Sequence, residues 1–380
     1  MRIVAVLCAL CALVAARVIA QAPARELKFI ARVLDPHLGN VCYAVTLADV
    51  NGDGKSDMVA VSENAVVWYE APSWRKRLII ENQTERDNVC IDAADLDGDG
   101  KVDFALGAGW TKVGTMQWLT RGASLDDKWS VHSLGKEAWT HRMRWGDVLG
   151  TKKPQLVVSP LNKTQGDGVR LLCLEVPANP RTDPWKTTVI DQSLDRMHNH
   201  WIADLDGDGR PDLLTASQEG LTLFRYKDGT WSKTKLANGS PPPARGCGEV
   251  KVGKFGGRKI IVTIETMHGK DVAVYFPEGA SRFLPTVIED GLAEGHAVVP
   301  ADLDGDGNDE VIAGDRGKGG GVFAYRRGRD GRWAKFVIDN TTMLPEDLAA
   351  ADLTGDGKVD LIAGGRATHN VVLYENVTGK

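Results

Sequence analysis

The sequence predicts an all-β fold in which seven four-stranded blades close into a ring, and three observations predict it. One acidic loop recurs at nearly constant spacing. Short β-branched runs fill the intervals, and the last interval lacks its closing run while a spare one stands near the N-terminus.

The loop sets the period. Two copies read Asp49-Val-Asn-Gly-Asp-Gly-Lys-Ser-Asp57 and Asp95-Leu-Asp-Gly-Asp-Gly-Lys-Val-Asp103, and three more open at Asp204, Asp302 and Asp352. Two further copies are degenerate, Asp147-Val-Leu-Gly150 and Gly253-Lys-Phe-Gly-Gly257. With Lys254 as the fifth anchor, the anchors stand 46, 52, 57, 50, 48 and 50 residues apart. That period is too long for one helical pair and suits a four-stranded blade of a propeller.

The intervals supply the strands. In the first, Asp57-Met-Val-Ala-Val61, Ala65-Val-Val-Trp-Tyr69 and Arg77-Leu-Ile-Ile80 are short, β-branched and bounded by turns. The chain carries 42 Gly and 11 Trp in 380 residues, and no long helical periodicity appears beyond the first twenty. Six repeats end in one kind of strand: Arg77–Ile80, Trp129–Leu134, Trp185–Ile190, Trp231–Leu236, Leu284–Ile288 and Trp333–Ile338. The seventh stops after Val371-Val-Leu-Tyr374, whereas Lys28–Leu34 has the pattern and no blade of its own. The N-terminal segment is therefore expected to complete the last blade, which removes an exposed edge and ties the chain ends together.

Residues 1–20 have a basic Arg2, an apolar run and small residues before Gln21, and read as a secretory signal cleaved near Ala16 or Ala20. The expected organisation is that signal followed by one propeller over residues 21–380, secreted or periplasmic, with no transmembrane segment. Oligomeric state is not legible. Cys42, Cys90, Cys173 and Cys247 fall in four different blades without a Cys-x-x-Cys pair, and read as buried thiols, with an unassigned disulfide the alternative in an oxidising compartment. A net charge of −5 and the lack of a basic stripe argue against nucleic acid as a partner. No Gly-x-Ser-x-Gly elbow or catalytic cysteine context supports nucleophilic hydrolysis.

Side-chain oxygens at loop positions 1, 3, 5 and 9, a backbone carbonyl at 7 and glycines for the bend are what Ca2+ needs from a short loop. The expected ligands are Asp49, Asn51, Asp53 and Asp57; Asp95, Asp97, Asp99 and Asp103; Asp204, Asp206, Asp208 and Asp212. Two more loops offer Asp302, Asp304, Asp306 and Glu310, then Asp352, Thr354, Asp356 and Asp360, with Thr354 the weakest ligand. The other reading is a metal-free turn whose carboxylates accept backbone N–H groups. Like charges crowded into nine residues favour a neutralising cation, and the role is structural. Through these Asp-x-Asp-Gly-Asp-Gly-x-x-Asp loops the chain resembles the FG-GAP/VCBS repeat family, the propeller class also found in integrin α subunits. The resemblance covers about residues 40–375. It implies the fold and says almost nothing about activity.

Six residues before each anchor stand Tyr43, Val89, His141, His198, Gly248, His296 and Glu346, so three of the eight histidines share one position. The acidic turn follows the innermost strand, so these residues are expected at the opposite mouth of the central channel, gathered by the ring. His200 lies two residues further along the same strand. His141, His198 and His296 suit Zn2+ or another divalent transition metal, and Tyr43, His200 and Glu346 suit proton transfer. Asn40, Asn88, Trp110, Arg142, Lys163, Arg316 and Arg366 flank that mouth, and His268 belongs to a loop of the same rim. An indole among amide and charged groups suits a hydroxyl-rich ligand.

The stretches Leu38–Val45, Asp87-Asn-Val-Cys90, Gly107-Ala-Gly-Trp110, Trp139-Thr-His-Arg142 and Ser159–Gly168 are similar to the propeller domain of fungal aldos-2-ulose dehydratase. That resemblance implies a metal-assisted lyase on a keto-sugar, in which a base removes a proton beside a carbonyl and a hydroxyl leaves. The cupin and lectin-like regions of the larger enzyme are absent from this sequence, so its isomerase activity is not expected. The alternative is a non-catalytic propeller binding a glycan or a protein.

Overall fold

A computed structural model describes residues 26–379 apart from 165, 280 and 281, so the signal assigned to residues 1–20 lies outside the described residues. Seven antiparallel sheets of four strands make the ring, and no helix occurs among the described residues. The innermost strands are Cys42–Ala48, Cys90–Ala94, Thr140–Gly146, Asn199–Ala203, Glu249–Phe255, Gly295–Ala301 and Pro345–Ala351. Each packs against the next, and the first against the last.

The ring closes as the sequence predicts. Phe29–Asp35 pairs antiparallel with Val371–Asn376, from Phe29 opposite Asn376 to Asp35 opposite Val371. The seventh sheet therefore joins both ends of the chain. Asp35, at the end of this clasp, accepts a hydrogen bond from the Tyr69 hydroxyl at 3.0 Å and pairs with Lys76 at 2.5 Å, both in blade 1. The same device recurs between other blades: Tyr325 donates to Glu289 and Tyr374 to Asp339, each at 2.9 Å.

The core is divided among seven apolar clusters, one between each pair of neighbouring blades. Successive side chains on a strand point to opposite faces, so Val59 and Val61 pack toward blade 2 while Met58 and Ala60 pack toward blade 7. This is why the second strands are buried along their whole length and read as unbroken apolar runs.

Cys42, Cys90, Cys173 and Cys247 are all buried and unbridged. Burial pushes the Cys90 and Cys173 thiols up to about 12 and raises those of Cys42 and Cys247 as well. A thiol reagent at neutral pH is expected to leave these four unmodified in the native protein and to modify all four in denaturant. Rapid native-state labelling of any of them would contradict the packing.

Candidate functional site at the channel mouth

The mouth is built by seven β-bulges. In blades 1, 3, 6 and 7 the pairing register skips one residue each, namely Tyr43, His141, His296 and Glu346. In blades 2, 4 and 5 the amides of Val89, His198 and Gly248 donate to the carbonyls of Gly107, Ala216 and Ile264 at 2.8–3.1 Å. Those three residues already face Cys90, Asn199 and Glu249, so two residues again oppose one. A bulge re-aims a side chain away from the sheet's alternation, and here it turns this position toward the mouth. In blade 4 both His198 and the next residue, Asn199, reach Glu249.

Four imidazoles meet there. The His198 ring lies 4.7 Å from His141, 4.9 Å from His268 and 5.0 Å from His296, centroid to centroid. One ring nitrogen from each of His198, His268 and His296 falls within 4.8 Å of the others. His268 comes from the loop after the second strand of blade 5, where its φ of 54° turns it inward. The sequence groups His141 with His198 and His296; in the structure the converging third imidazole is His268. His141 instead places Nδ1 2.9 Å from the His198 carbonyl and its ring against Trp110 at 5.5 Å.

Each Nδ1 of the converging set has a polar group close by, although the His198–Glu249 approach lacks hydrogen-bond geometry. His198 Nδ1 faces Glu249 Oε1 at 2.9 Å, His296 Nδ1 faces the Glu346 carbonyl at 2.6 Å, and His268 Nδ1 faces Arg316 at 3.1 Å. Such partners fix tautomers and ring orientation. With Arg316 donating, His268 Nε2 carries a proton toward His198 Nε2 at 3.1 Å, and the chain ends on Glu249. If Arg316 turns wholly onto Glu294 and Glu346, which it already contacts at 2.6 and 2.5 Å, His268 is free to take the other tautomer. One ring nitrogen of each then offers a lone pair within 4.8 Å of the other two, so the donor set fits a divalent transition metal.

The electrostatics agree with that fit. Burial, together with nearby Arg142 or Arg316, holds His141, His198 and His296 below the usual imidazole range and His268 down at about 2. Neutral imidazole is the form that ligates. Burial works against the charge on Glu249, but the His198 hydrogen bond and the Arg142 guanidinium outweigh it and hold that carboxyl at about 2. Glu346 is clamped by Arg316 at 2.5 Å and Arg366 at 2.8 Å, and Arg366 also lies 5.8 Å from the Tyr43 ring. Tyr43 thereby joins the site, its hydroxyl 3.5 Å from Asp87.

Other residues named from sequence lie apart. His200 is wholly buried between blades, its Nδ1 2.8 Å from the Ser159 hydroxyl. Asn40 spends its amide and side chain on Glu63 at 2.9 Å, and the buried Asn88 donates to the Ser62 carbonyl at 3.1 Å. Lys163 pairs with Asp195 at 3.4 Å on the rim. Glu249 and Glu294 carry much of the site's electrostatics, and the sequence singles out neither; His268 reads there only as a rim residue.

At the opposite face the loops are already organised by hydrogen bonds. Asp49 accepts from the amides of Gly52 and Gly54 at 2.7 and 2.8 Å, and Asp95, Asp204, Asp302 and Asp352 repeat this. Gly52 and Gly54 have φ of 82° and 83°, and no atom lies within 4 Å of where a Cβ would stand, so the backbone conformation alone demands glycine. The ninth-position carboxylates Asp57, Asp103, Asp212, Glu310 and Asp360 turn inward to the amide of the second position, at 2.8–3.2 Å. Carboxylate oxygens of positions 1, 3 and 5 converge within 4.8 Å in the loops at Asp95, Asp204 and Asp302. Gln155 takes the inward role in blade 3, a neutral side chain that accepts from the Leu149 amide at 2.9 Å. Blade 5 replaces its loop with a tight hairpin at Gly256-Gly257.

Fold and loops together define a seven-bladed β-propeller, and residues 49–106 and 302–363 match the FG-GAP-like repeat family. More narrowly, residues 113–278 match the β-propeller domain of aldos-2-ulose dehydratase. Aldos-2-ulose dehydratase of Phanerodontia chrysosporium is 28% identical over 262 residues, which is 62% of this chain and 29% of that enzyme. The chain thus aligns with less than a third of its curated relative. Solved structures that share the fold include these two. One shows recognition of non-reducing terminal N-acetylglucosamine by an Agrocybe aegerita lectin, at TM-score 0.51 and 14% identity over 88% of this chain and 86% of that one. The other is the extracellular domain of a hybrid two-component system from B. thetaiotaomicron, at TM-score 0.55 and 12% identity over 92% of this chain and 40% of that one.

Proposed function

We propose that this protein is an exported lyase that removes water from a keto-sugar at the channel mouth. The observation that carries the reading is the convergence of His198, His268 and His296, each with a polar group beside its Nδ1. The dehydratase relative supports the substrate class. A divalent ion held by these three imidazoles would supply Lewis acidity toward a carbonyl oxygen.

The chain's own groups divide the remaining work. Neutral, buried imidazoles are poor proton acceptors, so the proton is taken by Asp87, while Tyr43 beside it, its hydroxyl held above the usual phenol range by burial and Asp87, can donate one to the leaving hydroxyl. Arg366 and Arg316 orient Glu346 and offer donors to sugar hydroxyls. Trp110, packed on His141 and Trp139, forms an apolar wall for a sugar face. His200 takes no part, because it lies within a blade interface.

A second reading is a binding propeller, and the hydrogen bonds from Arg316 to His268 and on to His198, whose Nδ1 lies 2.9 Å from Glu249, favour it, since they need no ion. One experiment separates the two. Elimination from a 2-keto or 3-keto sugar is followed by absorbance of the unsaturated product, alongside metal content. His268→Ala and His198→Ala are expected to lose metal and at least about a hundredfold in rate, with the melting temperature of His268→Ala little changed. Sugar binding without turnover by metal-loaded wild type would leave the binding reading.

A further inference from the structure

Below the mouth the ring encloses a cavity of about 360 Å³, to which all seven innermost strands contribute. Its charged lining belongs to two positions of the repeat. Arg142 and Asp347 lie five residues before their anchors, and Asp92, Arg144 and Lys251 lie three before theirs. All but one of these groups are engaged. Arg142 pairs with Glu249 at 3.4 Å, and Arg144 donates to the His200 carbonyl at 2.9 Å and to Asn199 at 3.3 Å. Asp92 accepts from the Trp145 amide at 2.7 Å, and Asp347 accepts from the amides of Val45 at 3.1 Å and Leu348 at 3.0 Å.

Lys251 is the exception. It is only 8% exposed and its Nζ lies 3.8 Å over the Trp201 ring, whose indole also carries Arg144 at 4.6 Å. No carboxylate stands within ion-pair distance of it among the described residues. A buried ammonium without a counter-ion is costly, and a second cation on the same indole adds to that cost. Burial first and Arg144 next push this amine down to about 7, against the opposing pull of Asp347 and Glu249.

We propose that Lys251 is a carbonyl-trapping amine, and that the chamber takes a small aldehyde or ketone which condenses with it to an imine. The Nζ lone pair attacks the carbonyl carbon and the carbonyl electrons move to oxygen. The alkoxide takes one proton from the nitrogen, then Asp347 in its protonated form, which burial favours by raising that carboxyl, gives a second proton to the departing hydroxyl and regains one from nitrogen, so one C=N bond forms, the C=O bond is lost and water leaves. The step needs no oxidant or reductant. A neutral carbonyl suits the chamber better than an anion, because Asp92 and Asp347 line the same walls and both guanidinium groups are already engaged. The inference does not rest on the histidine site, which the reaction does not use.

The test uses the full mature protein, dihydroxyacetone as probe, and cyanoborohydride to fix any imine, followed by peptide mapping. A solvent-exposed lysine is free amine to less than about one part in a thousand at pH 7. Lys251 is therefore expected to be modified at least about tenfold faster than any other lysine there, with one adduct per chain. Lys251→Met is expected to remove that adduct, and Asp347→Asn to slow its formation. Histidine-site variants that have lost metal should still form it. Adducts spread over surface lysines with Lys251 unmodified in the wild type would overturn the proposal, whether or not the variants fold. So would suppression of the Lys251 adduct by acetate at concentrations no higher than the ketone's, which would mark an anion site.

Discussion

Removing residues 26–35 is expected to abolish the stable monomer. The clasp covers Val371, Val372, Leu373 and Tyr374, all fully buried, and places Leu27 in the cluster between blades 6 and 7. Uncovering two or three such side chains costs about 1.5–3 kcal/mol each, before the lost ladder and the Asp35 contacts with Tyr69 and Lys76 are added. Domain stability is itself only about 5–15 kcal/mol. The truncated protein also presents an unpaired apolar strand to other copies. Size-exclusion chromatography and thermal melting test this: aggregation or early melting is expected, and a monomer melting with the full chain would show that closure does not depend on this strand. Asp35→Asn keeps the ladder and should cost only about 1–3 kcal/mol.

Chelation should produce the second large effect. Three loops bring carboxylate oxygens of positions 1, 3 and 5 together on exposed turns, and we expect each to hold Ca2+. An ion that binds the folded loop alone adds about 2.7 kcal/mol at a hundredfold excess over its Kd, so three add about 8 kcal/mol. A chelator is expected to lower the melting temperature by many degrees, and added Ca2+ to restore it, while Mg2+ restores it poorly because it demands a smaller octahedral shell. An unchanged melting curve, in protein found by elemental analysis to hold no calcium, would leave the loops as hydrogen-bonded turns.

Much of this architecture is legible in the sequence because a ring turns a linear repeat into a circle. Counting back from each acidic anchor places Tyr43, His141, His198, His296 and Glu346 at one mouth, and all seven equivalent positions do stand at bulges. The bulge itself has no signature here, and it explains the misplacement of His200. In a regular strand residues two apart share a face, so His200 reads as a neighbour of His198. The bulge turns His198 to the mouth and leaves His200 in the blade interface beside Ser159. His268 is illegible as the third member of the cluster for a different reason: it sits on a connecting loop, whose path the repeat does not dictate. The channel charges are within reach of the same count, taken one and three residues further along. Blade 3 carries its loop without a full acidic set because Gln155 accepts the inward hydrogen bond that a carboxylate accepts elsewhere.

The clasp also imposes an order in time. Lys28 and Thr378 meet across a separation of 350 residues, so the first strand among the described residues is synthesised early and is the last to find its place. Until the C-terminal strand emerges, six blades can assemble as neighbours but the ring has an open seam, lined by the buried faces of the first and last blades. Contacts this distant along the chain form slowly, and an open seam is a surface for misassembly. A chain stalled or cut before residue 371 therefore meets the same fate as one that lacks its N-terminal strand: the two ends behave as one element, and neither is a tolerant place for a fusion that blocks pairing.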